Sequence, residues 1–243
     1  MGILNLTPDS FYEPSRYDMR VFDCGVDIVD IGAVSTRPGA SEVSLEEEWA
    51  RLEPVLSKLP AVRPEISIDT TRAEIVRRVH SLIGPFIVND ISAGEDDPEM
   101  LSTVGELGLH YIAMHKRGNP GNMDSLCDYS AFATPEHPSG VIPALLDYFA
   151  AFERKAADFG IADWILDPGL GFAKTPAQCW EILDKLECLA VFGRPILIGA
   201  GDKRFTRYPP AWAAYSDGNA LANEIALRHG ASILRVHIKT RKA

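Results

Sequence analysis

WILDPGLGFAKT, residues 164–175, holds the pattern from which the fold can be predicted. Three apolar residues lead into Asp167, and the chain then turns on Pro168, Gly169 and Gly171. An apolar run that ends in turn residues predicts a buried strand that opens into a loop. An Asp at a strand end often caps the following helix, so this carboxylate alone does not separate a ligand contact from a cap.

The same unit, a short apolar strand followed by an amphipathic helix, recurs along the chain. The predicted strands span residues 2–6, 27–32, 65–69, 86–90, 110–115, 163–167, 195–199 and 232–237. The predicted helices span residues 45–59, 72–82, 98–107, 141–159, 176–192 and 219–229, with capping-box signatures at Ser44-x-x-Glu47 and Thr71-x-x-Glu74. This alternation predicts the α/β class and a (β/α)8 TIM barrel, formed by a single domain over residues 1–243. A doubly wound open sheet stays the alternative, because alternation alone does not show closure.

Two helical connections of this barrel are predicted to be incomplete. Only residues 17–24 are available for a helix between the first two strands, so the first helix is expected to be shortened. After the last strand the sequence IKTRKA leaves no residues for an eighth helix. Uncovered strand surface would be apolar, so we expect oligomer contacts or reduced stability there, with a homodimer as a candidate assembly.

Composition narrows the class of protein. The chain has 243 residues, of which 46% are hydrophobic, and a formal net charge of −10. An acidic chain is a poor match for nucleic acid, and no apolar run reaches the length of a membrane span. The N-terminus lacks a signal-peptide pattern, and the four cysteines show no zinc spacing, which predicts a cytoplasmic protein with reduced thiols. We therefore expect small-molecule partners, without nucleic acid or membrane.

Polar side chains recur at the predicted C-terminal ends of the strands, the face that carries the active site in barrels of this kind. They are Asn5, Ser35, Thr36, Arg37, Asp69, Asn89, Asp90, His115, Asp167, Lys203, Arg235 and His237. Each one alone has an equally acceptable structural role, such as a helix cap or a solvated loop charge. Because they share one end of the predicted barrel, a binding site explains them better as a set.

The chemistry of this set indicates two kinds of ligand group. Two carboxylates, an amide and an ammonium suit the edge of a flat heterocycle that carries both donors and acceptors. The residues with that chemistry are Asp69, Asn89, Asp167 and Lys203. Groups suited to an anionic phosphate follow at Arg37, Arg235 and His237. No nucleophile–base pair and no phosphate-loop motif accompany them, so the sequence does not favour covalent catalysis.

Seven ordered segments carry a resemblance to a known family. They are MGILNLTPDSF, DIVDIGAVSTRPGA, SIDTTRAEIV, VNDISAG, MHKRGNP, ILDPGLGFAKT and RVH. In this order they resemble the dihydropteroate synthases, (β/α)8-barrel transferases of folate biosynthesis and targets of sulfonamides. The resemblance implies condensation of 6-hydroxymethyl-7,8-dihydropterin pyrophosphate with p-aminobenzoate to give 7,8-dihydropteroate and pyrophosphate, with Mg²⁺ as the cofactor.

The resemblance also implies roles for individual residues. The pterin pocket is expected to use Asp69, Asn89, Asp167 and Lys203. One loop is expected to contribute Asp9 and a second loop Thr36 and Arg37. Arg235 and His237 are expected to contact phosphate. Asn5 matches a position tied to Mg²⁺ and pyrophosphate, while Met114 and Phe172 are predicted to bind substrate. The predicted catalytic residues are Asp9, Arg37 and Lys203.

The chain departs from the family pattern at two places. Gly201-Asp202 stands before Lys203 where the family usually has Ser-Arg, and Ile238 follows RVH where it usually has Asp. The first change affects the region expected to bind p-aminobenzoate. Two alternatives therefore stay open: a non-catalytic or weakly active pterin-binding paralogue, and a barrel that transfers a methyl group from methyltetrahydrofolate to a corrinoid. The segments TPDSF and STRPGA weigh against the methyltransferase.

Overall fold

Strands and helices alternate along the chain in a computed structural model that describes residues 1–7, 19–35, 42–119, 121–209 and 217–238. The strands are β1 (Gly2–Asn5), β2 (Ile28–Gly32), β3 (Glu65–Asp69), β4 (Ile87–Asp90), β5 (His110–Met114), β6 (Trp164–Asp167), β7 (Leu197–Ile198) and β8 (Ile233–Leu234). The α-helices are α1 (Leu45–Leu56), α2 (Ala73–Ile83), α3 (Met100–Leu107), α4 (Val141–Asp158), α5 (Pro176–Asp184) and α6 (Gly218–Arg228). Each predicted strand and helix has a counterpart at the expected place in the chain.

The strands run parallel in chain order. Strands β1 to β6 form one sheet, and β7 pairs with β8 in a second. Isolated parallel bridges also join Leu166 to Ile196 and Gly2 to Val236. Parallel strands are buried on both faces, which explains why their sequences are nearly continuous apolar runs rather than alternating ones. In β2 every residue is buried.

The chain divides into two compact units, each with its own apolar interior. The first comprises Met1–Ala113, Ala156–Trp164 and Val236–Ala243, and the second comprises Met114–Lys155 and Ile165–Arg235. The first unit buries Val29, Ile31, Ile68 and Val88 of its strands, and the second buries Phe149, Leu166, Leu183 and Leu197. The predicted single domain over residues 1–243 stays a prediction.

The helix starts show where the capping predictions succeed and fail. Ser44 caps α1 as predicted, and its hydroxyl accepts the Glu47 N–H at 3.2 Å, while the Glu47 carboxylate pairs with Arg51 at 2.5 Å. The cap predicted at Thr71 is wrong, because α2 has Arg72 at the cap position and the Asp97 carboxylate accepts the Ala73 N–H at 2.8 Å. A carboxylate distant in sequence therefore replaces the local cap.

A full capping box that was not predicted begins α5. The Thr175 hydroxyl accepts the Gln178 N–H at 3.2 Å, and the Gln178 side chain accepts the Thr175 N–H at 2.8 Å. The predicted helix over residues 176–192 leaves α-helical geometry at Lys185 and continues as the 3-10 helix Leu186–Phe192. This box matters for the site, because it shows that Asp167 is not the cap of α5.

The connection between β1 and β2 and the segment after β8 were both predicted to be incomplete. Between β1 and β2 the described residues form one short 3-10 helix, Met19–Asp23, in agreement with a shortened first helix. Residues 239–243, beyond His237 and Ile238, lie outside the described part of the chain, so the prediction about an eighth helix stays a prediction. In the described ranges no helix has the length and apolar character needed to cross a membrane.

Candidate functional site

The register of the first unit aligns three predicted site residues at the ends of neighbouring strands. Asn5 is the Cα partner of Gly32, Gly32 of Asp69, and Asp69 of Asn89. Gly32 lies between two of these polar residues, and a Cβ there would lie 3.4 Å from the Cβ of Asp69. The glycine therefore leaves room beside the Asp69 carboxylate that any larger residue would reduce.

The amide of Asn89 is oriented by a buried carboxylate, Asp30, that was not predicted as a site residue. Asn89 Nδ2 lies 3.2 and 3.3 Å from the two carboxylate oxygens of Asp30, which also accepts the Ser67 hydroxyl at 2.7 Å. Because the Nδ2 end faces Asp30, the Oδ1 end of the amide is the one suited to accept from a ligand. The signal for Asp30 was present in the sequence, as a carboxylate inside the apolar run IVDIG.

Asp90, the neighbour of Asn89, organises a turn. Its carboxylate accepts the Ser92 N–H and hydroxyl at 2.7 Å, the Gly94 N–H at 2.8 Å and the Tyr111 hydroxyl at 2.6 Å. Burial raises the pKa of this carboxyl, and the four donors oppose that effect. These contacts account for the acceptor capacity of the group, so Asp90 leaves the set of ligand-contact candidates although it stands at a strand end.

Asp167 ends β6 in the second unit and is 8% exposed. Its Oδ1 accepts the Gly169 N–H at 2.8 Å, which closes the turn after the strand. Burial raises the pKa of the Asp167 carboxyl, and the positive charges of Lys203, Arg235 and Lys174 act in the opposite direction. A buried carboxylate among three cationic side chains is suited to accept N–H groups from a ligand, and it is not needed as a helix cap.

Lys203 and Phe172 lie together beside the same loop. Lys203 Nζ donates to the Leu170 carbonyl at 2.5 Å and stands 5.0 Å from the centroid of the Phe172 ring. Burial lowers the pKa of Lys203, while the Asp167 carboxylate favours its charged form. The second unit thus brings together Asp167, Phe172 and Lys203, which are a carboxylate, an aromatic face and an ammonium as a planar heterocycle requires.

A second lysine of this loop, Lys174, is 6% exposed and was not predicted as a site residue. Its Nζ contacts His115 Nδ1 at 2.9 Å and the carbonyls of Phe172, Gly169 and His115 at 3.0, 3.1 and 3.3 Å. Burial lowers the pKa of Lys174 to about 7, and burial together with the Lys174 charge holds the pKa of His115 well below its usual value. His115 is therefore neutral and engaged with Lys174.

Some of the remaining predicted site residues lie in the described part of the chain and others do not. Asp9, Thr36 and Arg37 lie outside the described residues. Met114 is buried at the end of β5, where its carbonyl accepts the Tyr148 hydroxyl at 3.4 Å. Arg235 follows β8 and donates its N–H to the Ile198 carbonyl at 2.9 Å, while His237 is a half-buried residue of the first unit.

The donor chemistry of the described residues limits how a metal ion could be held. Within the described ranges, no three Asp, Glu, His or Cys side chains are grouped in a way that could hold an ion. Asn5, at the end of β1, carries an amide oxygen, which is a hard donor of the kind that Mg²⁺ takes. In phosphate-handling sites Mg²⁺ commonly uses one or two protein ligands together with substrate phosphates and water. Asn5 fits that pattern and does not fit a site built from protein ligands alone.

Comparison with known proteins gives the relatives of this chain. Residues 1–237 match the family described as pterin binding enzyme. The chain is 37% identical to the dihydropteroate synthase of Synechocystis sp., over 98% of this chain and 84% of that protein. It is 38% identical to the folic acid synthesis protein fol1 of Pneumocystis carinii, but it spans only 33% of that longer protein.

Solved structures give the same result at the level of the fold. The dihydropteroate synthase of Yersinia pestis in a sulfonamide drug complex superposes with a TM-score of 0.83 at 31% identity, covering 98% of this chain and 88% of that one. The enzyme of Thermus thermophilus in complex with 4-aminobenzoate gives 0.79 at 31% identity, covering 98% and 87%. The (β/α)8 barrel predicted from strand–helix alternation is confirmed by these matches, and the doubly wound alternative is set aside.

Proposed function

The chain belongs to the pterin-binding enzyme family, and from that membership we infer that it catalyses the dihydropteroate synthase reaction of folate biosynthesis. It is a transferase that condenses 6-hydroxymethyl-7,8-dihydropterin pyrophosphate with p-aminobenzoate, giving 7,8-dihydropteroate and pyrophosphate. The observation that carries this conclusion is the arrangement around Asp167, where a buried carboxylate, the Phe172 ring and Lys203 stand at one loop.

The second unit supplies three proposed contacts to the pterin. Asp167 accepts paired N–H groups from the amino-pyrimidine edge, a charge-assisted contact worth more than a neutral hydrogen bond. Lys203, whose ammonium is already aimed at a carbonyl, donates to ring acceptors, and the Phe172 ring packs on the face of the heterocycle. Met114 contributes apolar surface from the end of β5.

The proposed contacts of the first unit follow from its strand register. Asp69 and Asn89 are Cα partners at the ends of β3 and β4, and Asn89 presents the acceptor end of its amide because Asp30 holds the donor end. An acceptor fixed in this way selects a ligand N–H over a ligand carbonyl. We assign both residues to pterin recognition.

The chemistry requires stabilisation of departing pyrophosphate rather than a protein nucleophile. Arg235 and His237 are the proposed phosphate contacts, and Asn5 is the proposed protein ligand of Mg²⁺. When bound, the ion would neutralise negative charge that grows on the leaving group. Asp9, Arg37 and Lys203 remain the proposed catalytic residues, with Thr36 as a substrate contact.

A turnover assay tests the proposed function. Purified protein with the pterin pyrophosphate, p-aminobenzoate and Mg²⁺ is expected to release pyrophosphate and form 7,8-dihydropteroate, and to stop when EDTA is added. Because one protein amide cannot hold the ion tightly, pyrophosphate itself should bind about tenfold more tightly with Mg²⁺ than without, which is about 1.4 kcal/mol. Titration calorimetry with pyrophosphate measures that difference, and equal affinity in the two conditions would remove the metal from the proposal.

The alternatives give different results in the same assay. Tight pterin binding without product would identify a non-catalytic paralogue, which the Gly201-Asp202 departure favours. Consumption of methyltetrahydrofolate in the presence of a corrinoid would identify the methyltransferase. Neither result is expected, since the relatives over the length of this chain carry the name dihydropteroate synthase.

The Gly201-Asp202 segment is expected to weaken p-aminobenzoate binding only modestly. Asp202 is exposed, has a left-handed φ of 55°, and exchanges two 3.1 Å hydrogen bonds with the Asn219 side chain. Its charge is therefore directed to the start of α6 and screened by water. The double variant Gly201→Ser, Asp202→Arg should therefore lower the Michaelis constant for p-aminobenzoate by about fivefold at most. Even unit charges about 4 Å apart in water repel by only about 1 kcal/mol, and Asp202 is directed away from the site.

Steady-state kinetics on the double variant measure this effect, with Asp202→Asn as the matched control. Asparagine tolerates the left-handed conformation and keeps an oxygen for Asn219, so this control removes only the charge. An unchanged Michaelis constant for p-aminobenzoate in both variants would show that the segment does not contact the second substrate. Pterin affinity should stay the same throughout.

Location and assembly are further proposals. We propose a cytoplasmic enzyme, supported by the four cysteines, all within the described residues and all unpaired: Cys24, Cys127, Cys179 and Cys188. A homodimer is the proposed assembly, and sedimentation of the purified chain would test it. The partners are small-molecule substrates, without nucleic acid or membrane.

A further inference from the structure

The loop after β6 has one backbone hydrogen bond of its own, from the Phe172 N–H to the Gly169 carbonyl at 3.1 Å, and several contacts from side chains. Four of its carbonyls accept from side chains: Gly169 and Phe172 from Lys174, Leu170 from Lys203, and Ala173 from the Tyr129 hydroxyl at 3.1 Å. A buried carbonyl left without a donor costs about 1–3 kcal/mol, so these side-chain contacts stabilise the shape of the loop.

The same loop is unfavourable as an isolated backbone. Gly169, Gly171 and Ala173 have left-handed φ values of 65°, 80° and 51°. Ala173 is not a glycine, and its conformation persists only where the surroundings impose it. Contacts from side chains therefore help to keep the turn. Lys174, the residue that follows, donates to three backbone carbonyls, of which two belong to the loop and one to His115.

The Lys174 ammonium joins the loop to the end of β5. Lys174 Nζ contacts the Nδ1 atom and the carbonyl of His115. It also contacts the carbonyls of Gly169 and Phe172 in the loop. An ammonium has three N–H donors for these four acceptors, and His115 completes the shell as a neutral imidazole packed edge-on against the Tyr148 ring at 4.7 Å. Burial lowers the pKa of Lys174 to about 7, so these contacts hold a buried cation at and below neutral pH, and the proposed substrate contacts do not include it.

Two of the residues held in this way are linked to proposed pterin contacts. The Gly169 N–H is bonded to the Asp167 carboxylate, and the Gly169 carbonyl is bonded to Lys174. The Phe172 carbonyl is bonded to Lys174, and its ring lies beside Lys203. Movement of either carbonyl would displace the Asp167 partner and the aromatic face together.

We propose that Lys174 is a positioning residue, whose ammonium locks the loop of residues 168–173 to His115 so that Asp167 and Phe172 are preset for the pterin. This inference rests on the proposed function for its ligand and on the four contacts for its geometry. Lys174 does not touch substrate. Its effect should therefore appear in pterin affinity and loop protection, and not in the affinity for p-aminobenzoate.

Chemical rescue provides the test. Lys174→Ala is expected to bind a pterin such as 6-hydroxymethylpterin about tenfold more weakly than the wild type, as expected when buried acceptors lose their donor. Ethylammonium should restore affinity, because it can place an N–H₃⁺ group among the same acceptors. Tetramethylammonium has the same charge and no N–H donor, and should restore nothing. Lys185→Ala, which removes an exposed lysine, is the matched control and should bind like the wild type.

A readout without pterin separates this proposal from the proposed function. Hydrogen exchange of the Gly169 and Gly171 amides in the free protein should accelerate in Lys174→Ala and slow again with ethylammonium. Should the alanine variant fail to fold, Lys174→Gln, with two neutral donors, is expected to show an intermediate change in the same exchange. Unchanged exchange and affinity, or losses that both ammonium ions restore equally or neither restores, would overturn the positioning role. Wild-type protein that binds no pterin would reject the proposed function, while the exchange result would still decide the role of Lys174 in the loop.

Discussion

Asp167→Asn is expected to weaken pterin binding by about ten- to a hundredfold, the range given by about 1.5–3 kcal/mol for hydrogen bonds to a charged group. The amide can still accept the Gly169 N–H, so the turn after β6 should persist. The substitution removes the negative charge. It also replaces one acceptor oxygen with an NH₂ donor, which would face the N–H groups of the ligand. Calorimetric titration with a pterin measures the affinity.

Thermal melting of the same variant should show little loss of stability. Burial raises the pKa of the Asp167 carboxyl, which means that the folded protein carries this charge at a cost that a neutral amide avoids. A group with a raised folded-state pKa favours folding at acid pH and loses that contribution as pH rises through its folded pKa. The stability of Asp167→Asn relative to the wild type should therefore increase from acid to neutral pH.

The pterin affinity of the wild type should rise with pH, whereas the contribution of Asp167 to its stability falls. As pH falls through the raised pKa of Asp167, the carboxylate is protonated and the wild type loses pterin affinity at a pH above the ordinary carboxyl range. The asparagine variant should lack this dependence. Unchanged pterin affinity together with a large loss of melting temperature would show that Asp167 is a structural residue.

Gly169→Ala is expected to abolish measurable pterin binding and to destabilise the protein by about 3 kcal/mol or more, from overpacking and left-handed strain together. A Cβ at this position would lie 2.1 Å from the carbonyl oxygen of His115, at a φ of 65°. That carbonyl belongs to a residue whose own N–H is bonded to the Asp167 carbonyl at 3.0 Å, so it cannot retreat without breaking the pairing of β5 with β6. Denaturant unfolding and pterin titration measure the two losses.

Gly171→Ala is the matched control in the same turn. Its φ of 80° is also left-handed, but a Cβ there would meet only the Lys203 Cδ, at an ordinary contact distance of 3.5 Å. The expected cost is the conformational one alone, about 1–2 kcal/mol, with pterin binding retained. Equal losses in the two variants would mean that left-handed strain, and not the approach to His115, explains the effect at Gly169.

Local signals in the sequence were sufficient to predict the strands and helices, and they also predict a site at the strand ends. The apolar run before Asp167 and the glycines after it predict a strand end and a turn because both depend on neighbouring residues only. Ser44 was predicted as a cap for the same reason, since its hydroxyl reaches an N–H three residues away. The parallel order of strands then places their ends on one side, so residues such as Asn5, Asp69 and Asn89 could be grouped before their register was known.

The tertiary structure decided which polar groups are engaged by other parts of the chain. Asp30 with Asn89, and His115 with Lys174, are each joined across 59 residues, so no local pattern can pair them. Asp90 looked like a site residue because it ends a strand, but Tyr111 from the next strand helps to fill its acceptor positions. Burial explains the difference, since a polar group removed from water must find its partners wherever the packed chain brings them. The sequence determined the kinds of groups at the strand ends, and packing determined their partners.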